Sequence, residues 1–546
     1  MRQQIGRECF TLLIRAPMRF AIGRVFNRMA GTKVAMSRLG TGVGRICAVV
    51  AAPTALEMAA DIRSAVRQTP TVELRLDWLA SDAERSKLLA FVRKLPLGRY
   101  TLLATCRRKG AGGRFAGNIN AQLYWLIQAR EAGCQWCDIE VETLRKLPEQ
   151  SARGYAVPAR IMLSVHDFQR TPDLSKSIRL PPYSGVDAVK IAAHARTIKD
   201  SVRLLGWAQR SGDCIAVPMG EVGLPARILA LRGGSTLAYA PVSAATAPGQ
   251  VSLHDLMHLY RAHELNPRTK VFGVIGDPVG HSLSPLLHNS AFVAKKVNAV
   301  YLPFLVKDLR DFLSAIPEFG IRGFSITLPH KQTILKYLKE CDSLAADIGA
   351  VNTVVVRRDG SLAGSNTDYV GVLCSLEKKL NLAKSRVLLF GAGGSARAAA
   401  FALGRAGASV AICARRERVA RELARAVGGE VVPRRALRTE SFDALLNTTP
   451  VGMYPRSEIS PLSLGELHCR IVMDLIYRPE RTQLLKLAAG KGIVIVSGVE
   501  MFLAQGIAQW ELWTRLRAPE AAMRRAVLGV LRGETPAPVP KPRRPR

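Results

Sequence analysis

The stretch RVLLFGAGGSARAAAFALGRAGASVAICARR (Arg386–Arg416) decides the fold of the C-terminal half of this chain. It reads as a strand, a glycine-rich turn, a helix and a second strand, and this placement gives the glycine pattern its weight. Glycines let the backbone approach a pyrophosphate at the helix N-terminus, where free N–H groups and the helix dipole favour anions. The sequence therefore predicts a Rossmann domain over residues 381–499, with a cofactor contacted by Gly391, Ala392, Gly393, Gly394, Ser395 and Ala396.

The end of the second strand indicates which dinucleotide binds. Enzymes that use NAD usually carry an acidic residue here for the ribose 2′-hydroxyl, whereas this chain has Arg415 and Arg416. Two guanidinium groups fit a 2′-phosphate, so the sequence predicts NADP(H). The alternative is that both arginines are solvated side chains on an arginine-rich surface.

A second alternation of short apolar runs with helical stretches occupies the N-terminal half. The runs are Ile46–Ala51, Val72–Asp77, Thr101–Thr105, Trp136–Val141, Ile161–Val165, Ala188–Ala192, Cys214–Pro218 and Leu237–Pro241. This rhythm predicts an α/β fold with a (β/α)₈ barrel over residues 45–262 and a linker over 263–269. A further α/β domain follows over 270–380, completed by helices at about 500–531.

Polar residues lie in or just after most of these runs, where a barrel places its active site. They are Glu73, Arg75, Arg107, His166, Lys190, Arg227 and Gln250. Lys190 is flanked by apolar residues in AVKIA, so we expect burial to lower its pKa and leave a neutral amine. A neutral lysine attacks a ketone to form an imine, and His166 is suited to remove the adjacent proton.

Several segments of this half resemble type I 3-dehydroquinate dehydratase. They are VELRLD (Val72–Asp77), TCRRKGAGG (Thr105–Gly113), SVHDF (Ser164–Phe168), DAVKIA (Asp187–Ala192) and ATAPGQ (Ala245–Gln250). The resemblance implies that Lys190 forms the imine, that His166 is the general base and that Arg227 grips the substrate carboxylate. It further implies substrate contacts from Glu73, Arg75, Arg107, Thr246 and Gln250. Thr246 stands where the family commonly has serine, and Ala111 replaces a glutamate that steers the histidine.

The C-terminal half resembles shikimate dehydrogenase. The motifs are GDPVGHSLSPLLHN (Gly276–Asn289), SITLPHK (Ser325–Lys331), AVNT (Ala350–Thr353), SNTDYVG (Ser365–Gly371), NTTPVGMYP (Asn447–Pro455) and MFLAQG (Met501–Gly506). The resemblance implies a catalytic pair, Lys331 and Asp368. It also implies substrate contacts from Ser282, Ser284, Thr327, Asn352, Tyr477 and Gln505, with Gly498 beside the cofactor.

The two resemblances together imply consecutive reactions on one chain, because the product of the dehydratase is the substrate of the reductase. We expect 3-dehydroquinate to become 3-dehydroshikimate and then shikimate, with NADPH as the reductant. One alternative is a shikimate or quinate dehydrogenase with an impaired dehydratase, which Ala111 keeps open. Another is a regulatory binder of quinate or shikimate that has lost catalysis.

Composition limits the other function classes. The net charge is +35 and the pI about 10.4, but the basic residues are scattered and no nucleic-acid-binding motif is present, so we expect no nucleic-acid partner. No uninterrupted apolar run reaches the roughly 18 residues typical of a membrane span. The ten cysteines include one CxxC pair, Cys134 and Cys137, without a second pair at zinc spacing, so we expect structural thiols and no metal.

Both ends of the chain have unusual compositions. Residues 1–44 are arginine-rich with Glu8 as the only carboxylate, and 535–546 are rich in proline and arginine, so we expect both to be disordered. We expect a cytoplasmic monomer or homodimer, or an organelle stroma if residues 1–44 are a transit peptide.

Overall fold

The computed structural model describes residues 42–146, 160–174, 186–212, 214–243 and 249–533. The chain forms two compact units: a first up to residue 257 with 261–267, and a second from 268 onward with 258–260. Residues 1–41, the tail 535–546 and Thr246 lie outside the described residues, so the expectations placed on them stay expectations. Within the described ranges, no helix is both long and apolar enough to cross a bilayer.

The first unit is a barrel of eight parallel strands in the order β7-β6-β5-β4-β3-β2-β1-β8. The strands are β1 Ile46–Val50, β2 Thr71–Arg75, β3 Thr101–Thr105, β4 Trp136–Glu140, β5 Arg160–Asp167, β6 Val186–His194, β7 Cys214–Met219 and β8 Ala238–Pro241. Beside the two end strands of this order, the N–H of Thr236 donates to the carbonyl of Cys214. Each strand coincides with a predicted run, which confirms the barrel.

Helices alternate with these strands along the chain. They are α1 Ala55–Ala65, α2 Asp82–Val92, α3 Ile119–Glu131, α4 Val141–Leu144, α5 Ile198–Ser211 and α6 Leu224–Ile228. Two begin at capping boxes, in which a threonine (Thr54 or Thr197) and the acid three residues later bond each other's backbone N–H. Local sequence therefore sets where α1 and α5 begin.

Alternate residues of each strand point into the barrel, because side chains of a strand alternate between its faces. One end of the interior is filled by apolar groups, including Cys47, Leu103, Trp136, Met162 and Ile215. Two residues further along, toward the carboxyl ends, the inward positions of several strands become polar, with Thr105, Asp138, Ser164, Lys190 and Tyr239, whereas β1 and β7 remain apolar. The polar groups of the interior therefore lie toward the end where the strands terminate.

The second unit contains two six-stranded sheets. The first is mixed, in the order β10-β9-β11-β13-β14-β12, with β13 antiparallel to both neighbours. Its strands are β9 Lys270–Gly276, β10 Ala299–Leu305, β11 Ile321–Ile326, β12 Glu340–Cys341, β13 Thr353–Val356 and β14 Leu362–Ser365. Its helices are α7 Ser284–Ala294, α8 Leu309–Ser314, α9 Ile316–Phe319 and α10 Ser343–Ile348.

The second sheet is parallel, in the order β17-β16-β15-β18-β19-β20, as a Rossmann domain requires. Its strands are β15 Arg386–Phe390, β16 Ser409–Cys413, β17 Glu430–Val431, β18 Phe442–Asn447, β19 Cys469–Asp474 and β20 Val494–Val496. The helices are α11 Asp368–Leu376, α12 Gly394–Arg405, α13 Glu417–Val427, α14 Gln483–Gly490, α15 Gly498–Thr514 and α16 Glu520–Leu531. The last two return to the mixed sheet, where Trp510 and Met523 share a buried cluster with Phe272, Leu287 and Phe292.

Candidate active sites

The amine of Lys190 is the centre of the polar end of the barrel. Lys190 lies on β6 with only 4% of its surface exposed, and its Nζ donates to Asp138 on β4. The Nζ also lies 3.7 Å from Oε1 of Glu73 on β2 and 4.8 Å from the centre of the Tyr239 ring. Lys190 is buried, as expected, but its amine does not lie among apolar groups alone, because two carboxylates and an aromatic face surround it.

The sequence reading missed Asp138, which joins three functional side chains. Its Oδ2 accepts from Lys190 and, at 3.0 Å, from Arg107, while its Oδ1 accepts from Ser164 at 2.5 Å. Burial alone would raise the pKa of this carboxyl, but the charges of Lys190 and Arg107 hold it well below its usual range. A signal was present in β4, whose sequence WCDIE places Asp138 and Glu140 two residues apart, so both point inward.

Glu140 and Glu73 complete the acidic lining of this cavity. Glu140 lies 3.7 Å from the Nε of Arg107 and accepts from Gln122 at 2.6 Å. Burial raises the pKa of Glu140, and the charge of Arg107 partly offsets that effect. Glu73 accepts from Thr105 at 2.6 Å. Arg107 is thus held between Asp138 and Glu140, and its contact with substrate stays a prediction.

His166 lies near the end of β5, beside β6, in the same polar cavity. The strand register pairs Ser164 with Lys190, so His166 and Lys190 project from adjacent strands toward the same interior. Burial lowers the pKa of His166 well below its usual value, and the charges of Arg107 and Lys190 lower it further. The imidazole is therefore neutral and able to accept a proton. Its Nδ1 is buried without a hydrogen-bond partner among the described residues.

The loop that carries Ala111 contacts Phe168, the aromatic neighbour of His166. The His166 ring stacks on Phe168 at 5.9 Å, and a Cβ added to Gly112 would lie 2.2 Å from Cζ of Phe168. Gly112 also has a φ of 78°, which a residue with a side chain rarely adopts. The position at which the family glutamate would stand is thus adjacent in sequence to a glycine that packs on Phe168, the ring that stacks on His166.

The remaining predicted barrel residues occupy the mouth. Arg75 forms a two-pronged ion pair with Asp77, with distances of 2.9 and 2.8 Å. Arg227 on α6 donates to the carbonyl of Gly249 at 3.1 Å, adjacent to Gln250. Burial lowers the pKa of Arg227 to about 10, so the guanidinium remains charged at neutral pH. The structure brings Arg227 and Gln250 together.

The cysteines noted in the sequence are buried thiols. Cys106, Cys134 and Cys137 are free, and burial raises the pKa of each. Such thiols are poor nucleophiles and poor metal ligands at neutral pH.

The second site centres on Lys331 and Asp368. Nζ of Lys331, in the loop after β11, donates to Oδ2 of Asp368 at 2.6 Å. Asp368 is the first residue of α11, and its Oδ1 accepts from Nδ2 of Asn352 at 2.8 Å. The Oδ1 of Asn352 in turn accepts from Thr367 N at 2.7 Å and from Thr353 Oγ1 at 2.8 Å. The amide is therefore locked in the orientation that presents its donor to the carboxylate.

The loop that carries Ser282 and Ser284, here called the serine loop, is held by hydrogen bonds to a tyrosine that the sequence did not predict as a site residue. The hydroxyl of Tyr301, on β10 and fully buried, hydrogen-bonds both Ser284 and Ser325. Ser284 N donates to Ser282 Oγ at 3.2 Å, so the two serines form one turn. Tyr301 is one of several aromatic residues in an apolar strand, and nothing in the sequence distinguished it from core packing.

Gln505 and Tyr477 adjoin this site from the C-terminal helices and the Rossmann sheet. Gln505 on α15 donates to the carbonyl of Phe502 at 2.9 Å, and a Cβ added to Gly371 on α11 would lie 3.5 Å from its Cβ. Tyr477 stacks on Phe502 at 4.7 Å and hydrogen-bonds the backbone of Leu283, inside the serine loop. These contacts connect α11, α15 and the serine loop.

The glycine-rich turn has room for a ligand at the N-terminus of α12. A Cβ at Gly393 or Gly394 would meet no atom within 4 Å, whereas at Gly391 it would lie 2.5 Å from Thr448 Oγ1. Gly391 is therefore needed for packing, and the other two leave open space before free helical N–H groups. Gly498 is also a packing glycine, because its Cβ would lie 2.4 Å from the carbonyl oxygen of Ile476.

Arg415 and Arg416 follow β16, as predicted. Both side chains are exposed. Together with the open turn, they fit a dinucleotide that carries a 2′-phosphate.

The fold and the two sites define a class: a barrel with a buried lysine and histidine, joined to a substrate domain and a dinucleotide-binding domain. Profiles of known families agree. Type I 3-dehydroquinase matches residues 46–267, the shikimate dehydrogenase substrate binding domain matches 274–354, and the shikimate 5′-dehydrogenase C-terminal domain matches 498–528.

One relative matches across both units of this chain, and others match about half of it. The bifunctional 3-dehydroquinate dehydratase/shikimate dehydrogenase, chloroplastic, of Arabidopsis thaliana is 37% identical over 474 residues, which is 82% of this chain and 78% of that protein. Shikimate dehydrogenase (NADP(+)) of Moorella thermoacetica is 42% identical over 280 residues, 48% of this chain and 94% of that protein. Crystalline shikimate 5-dehydrogenase of Thermus thermophilus, in complex with NADP(H) and shikimate, is 35% identical, covering 48% of this chain and 99% of that one, with a TM-score of 0.44. This chain belongs to the bifunctional 3-dehydroquinate dehydratase/shikimate dehydrogenase family.

Proposed function

We propose that this chain dehydrates 3-dehydroquinate to 3-dehydroshikimate in its barrel and reduces that product to shikimate, with NADPH, in its second unit. The observation that carries the proposal is the presence of two sets of reactive groups on one member of the family. Lys190 and His166 share one buried cavity, and Lys331 lies 2.6 Å from Asp368. The substrates are small carboxylates, which suit a chain with a net charge of +35.

In the barrel, Lys190 attacks the ketone and forms an imine with loss of water. The neutral His166 removes the proton next to the former carbonyl carbon, and the electron pair moves toward the imine nitrogen. The protonated imidazole then gives that proton to the departing hydroxyl group, so His166 serves first as base and then as acid. Arg227, buried but charged, binds the substrate carboxylate, since a planar guanidinium suits a bidentate contact. Glu73, Arg75, Arg107, Thr246 and Gln250 contact the hydroxyl groups.

In the second unit, Lys331 donates a proton to the carbonyl oxygen of the substrate. Asp368 accepts hydrogen bonds from both Lys331 and Asn352, so it fixes the position of the ammonium that donates the proton. Ser282 and Ser284 bind the substrate carboxylate. Thr327, Asn352, Asp368, Tyr477 and Gln505 contact the ring.

NADP(H) would lie on the open glycine-rich turn, with its 2′-phosphate against Arg415 and Arg416, and when bound it supplies the hydride. Replacing both arginines with alanine should raise the KM for NADPH at least about tenfold and leave that for NADH unchanged, because only the charged contacts to a phosphate are lost. An unchanged preference for NADPH would show that Arg415 and Arg416 do not bind the 2′-phosphate.

A coupled assay tests the proposal as a whole. With dehydroquinate and NADPH, absorbance of the reduced nicotinamide should fall in the wild-type chain. A Lys190→Ala variant should oxidise NADPH only when dehydroshikimate is supplied, and a Lys331→Ala variant should accumulate dehydroshikimate. A wild-type chain that leaves both substrates unchanged would refute the proposal and favour a regulatory binder.

One observation favours a second candidate, a shikimate dehydrogenase with a weakened dehydratase. The Nδ1 of His166 lacks a partner among the described residues, and Ala111 stands at the position of the family glutamate. Comparing the kcat of the two half-reactions on one preparation distinguishes the candidates. A dehydratase kcat far below the reductase kcat would favour the second.

The domain limits, the location and the oligomeric state given above stay predictions. We propose that the barrel extends over 45–262 and that the cofactor domain extends over 381–499. Expression of 45–262 alone should give dehydratase activity, and an insoluble or inactive product would refute that limit.

A further inference from the structure

The positive charge on the Lys190 nitrogen has a dedicated partner inside the barrel. Asp138 is 1% exposed, contacts the nitrogen directly and is held in place by two other donors, Arg107 at 3.0 Å and Ser164 at 2.5 Å. Neither donor depends on substrate. Asp138 is therefore a fixed negative charge at the atom that reacts, rather than a group that rotates toward it on demand.

The chemistry of imine formation keeps the charge at this atom. A protonated amine and a ketone combine to give an iminium and water: the C–N double bond forms, the C–O bond breaks, and two N–H protons leave with the oxygen. One N–H and one positive charge remain on the Lys190 nitrogen. Of the two protons lost, one leaves before the amine attacks the carbonyl carbon and the other after the attack, and both end in the released water. A fixed carboxylate therefore lies beside the nitrogen when the positive charge returns to it as the iminium.

We propose that Asp138 is a catalytic residue of the dehydratase, the permanent counter-ion that stabilises the positive charge of the iminium formed at the Lys190 nitrogen. The inference rests on the proposed function of the barrel. An iminium accepts electrons from the adjacent carbon far better than a neutral imine does, so a group that keeps the nitrogen protonated speeds removal of the proton by His166. Asp138 contacts the reacting atom, whereas Ser164 only positions Asp138.

The other groups around the nitrogen do not supply this function as well. Glu73 is 3.7 Å away and is engaged by Thr105, and Tyr239 offers only the face of its ring. The titratable and charged groups that face Lys190 from the surrounding strands are Cys47, Glu73, Arg75, Arg107, Asp138, His166 and Tyr239. Arg107 is the nearest cation to Asp138, after Lys190 itself, and it is shared with Glu140.

Trapping the iminium by cyanoborohydride at a series of pH values tests the inference. The full-length chain is incubated with dehydroquinate, and the adduct on Lys190 is measured by mass spectrometry. Trapping should fail above a characteristic pH, at which the iminium loses its proton. Asp138→Asn should lower that pH by about 1–3 units, because an opposite charge within a few ångströms shifts a pKa by that amount. Asp138→Glu should restore it in part.

Glu142→Gln is the control, since it removes an exposed carboxylate just after β4 that does not touch Lys190. It should leave the trapping profile unchanged. If Asp138→Asn does not fold, the wild type suffices: its adduct should persist to a higher pH than the iminium of butylamine with the same ketone.

The possible outcomes separate the two claims. The counter-ion role of Asp138 would be refuted if trapping failed at the same pH in the wild type and in Asp138→Asn. It would also be refuted if the wild-type adduct failed at no higher pH than the iminium of butylamine. Either result would leave the proposed function of the barrel unaffected. No adduct on wild-type Lys190 at any pH would overturn both.

Discussion

Replacing Asp474 with asparagine should remove a pH-dependent weakness of the second unit. Asp474 ends β19 and is fully buried, yet its partners are all uncharged: Asn447 Nδ2 at 3.0 Å, Ile476 N at 3.1 Å and Thr482 Oγ1 at 2.7 Å. Burial raises its pKa from 3.8 to about 6, although the three hydrogen bonds oppose the shift. The carboxylate joins the segment that begins at Asn447 to the one that carries Tyr477.

The magnitude follows from the shift. Because the folded-state pKa lies above the unfolded one, the folded chain binds this proton more tightly, and stability is lost as pH rises from about 4 through 6. A difference of about two units corresponds to about 3 kcal/mol at neutral pH. About 2 kcal/mol of that loss falls between roughly pH 4.5 and pH 7.5.

The unfolding free energy is measured by urea denaturation at both pH values. Hydrogen exchange of peptides from β19 serves as the readout, so that unfolding of the second unit is followed alone. The fall in unfolding free energy between pH 4.5 and pH 7.5 should be smaller by about 2 kcal/mol in Asp474→Asn than in the wild type. Glu458→Gln, which removes an exposed carboxylate, should change nothing. If Asp474→Asn shows the same pH dependence as the wild type, the assignment of a raised pKa to this group is wrong.

Three further predictions concern the two sites. Ala111→Glu should raise the dehydratase kcat on the order of tenfold by orienting the Nδ1 of His166, whereas Ala111→Gln should raise it less. An unchanged kcat in Ala111→Glu would contradict the role of position 111 in orienting His166. Asp368→Asn should lower the reductase kcat about 10²- to 10⁴-fold, and a loss of dehydratase activity in the same chain would point to misfolding instead. Gly498→Ala should cost about 1–3 kcal/mol of unfolding free energy, because its Cβ would lie 2.4 Å from a backbone oxygen, while Gly490→Ala, with open space around it, should be neutral; equal urea midpoints for the two would argue against the close contact.

Much of the first site was visible in the sequence because barrel strands end where chemistry occurs. The runs located the strands, and the polar residues at their ends included Glu73, Arg107, His166 and Lys190, which the structure brings to one cavity. Their alternation in each strand is a local property, so it can be read without knowledge of the fold.

The electrostatic state of Lys190 could not be read in the same way. AVKIA shows an amine among apolar neighbours along its own strand, but the partner, Asp138, is 52 residues away on β4, two strands along the barrel. Sequence neighbours on a strand point to opposite faces, and the groups that surround a side chain come from other strands.

The sequence alone determined the order of elements, the two classes of domain and most of the reactive side chains, because apolar periodicity and motif spacing are local. Only the tertiary structure decided which charges meet. The pairing of Lys190 with Asp138, the contact of Tyr301 with Ser284 and the link from Tyr477 to Leu283 all join segments distant along the chain. Such contacts depend on strand order and register, which are set by the packing of the whole unit.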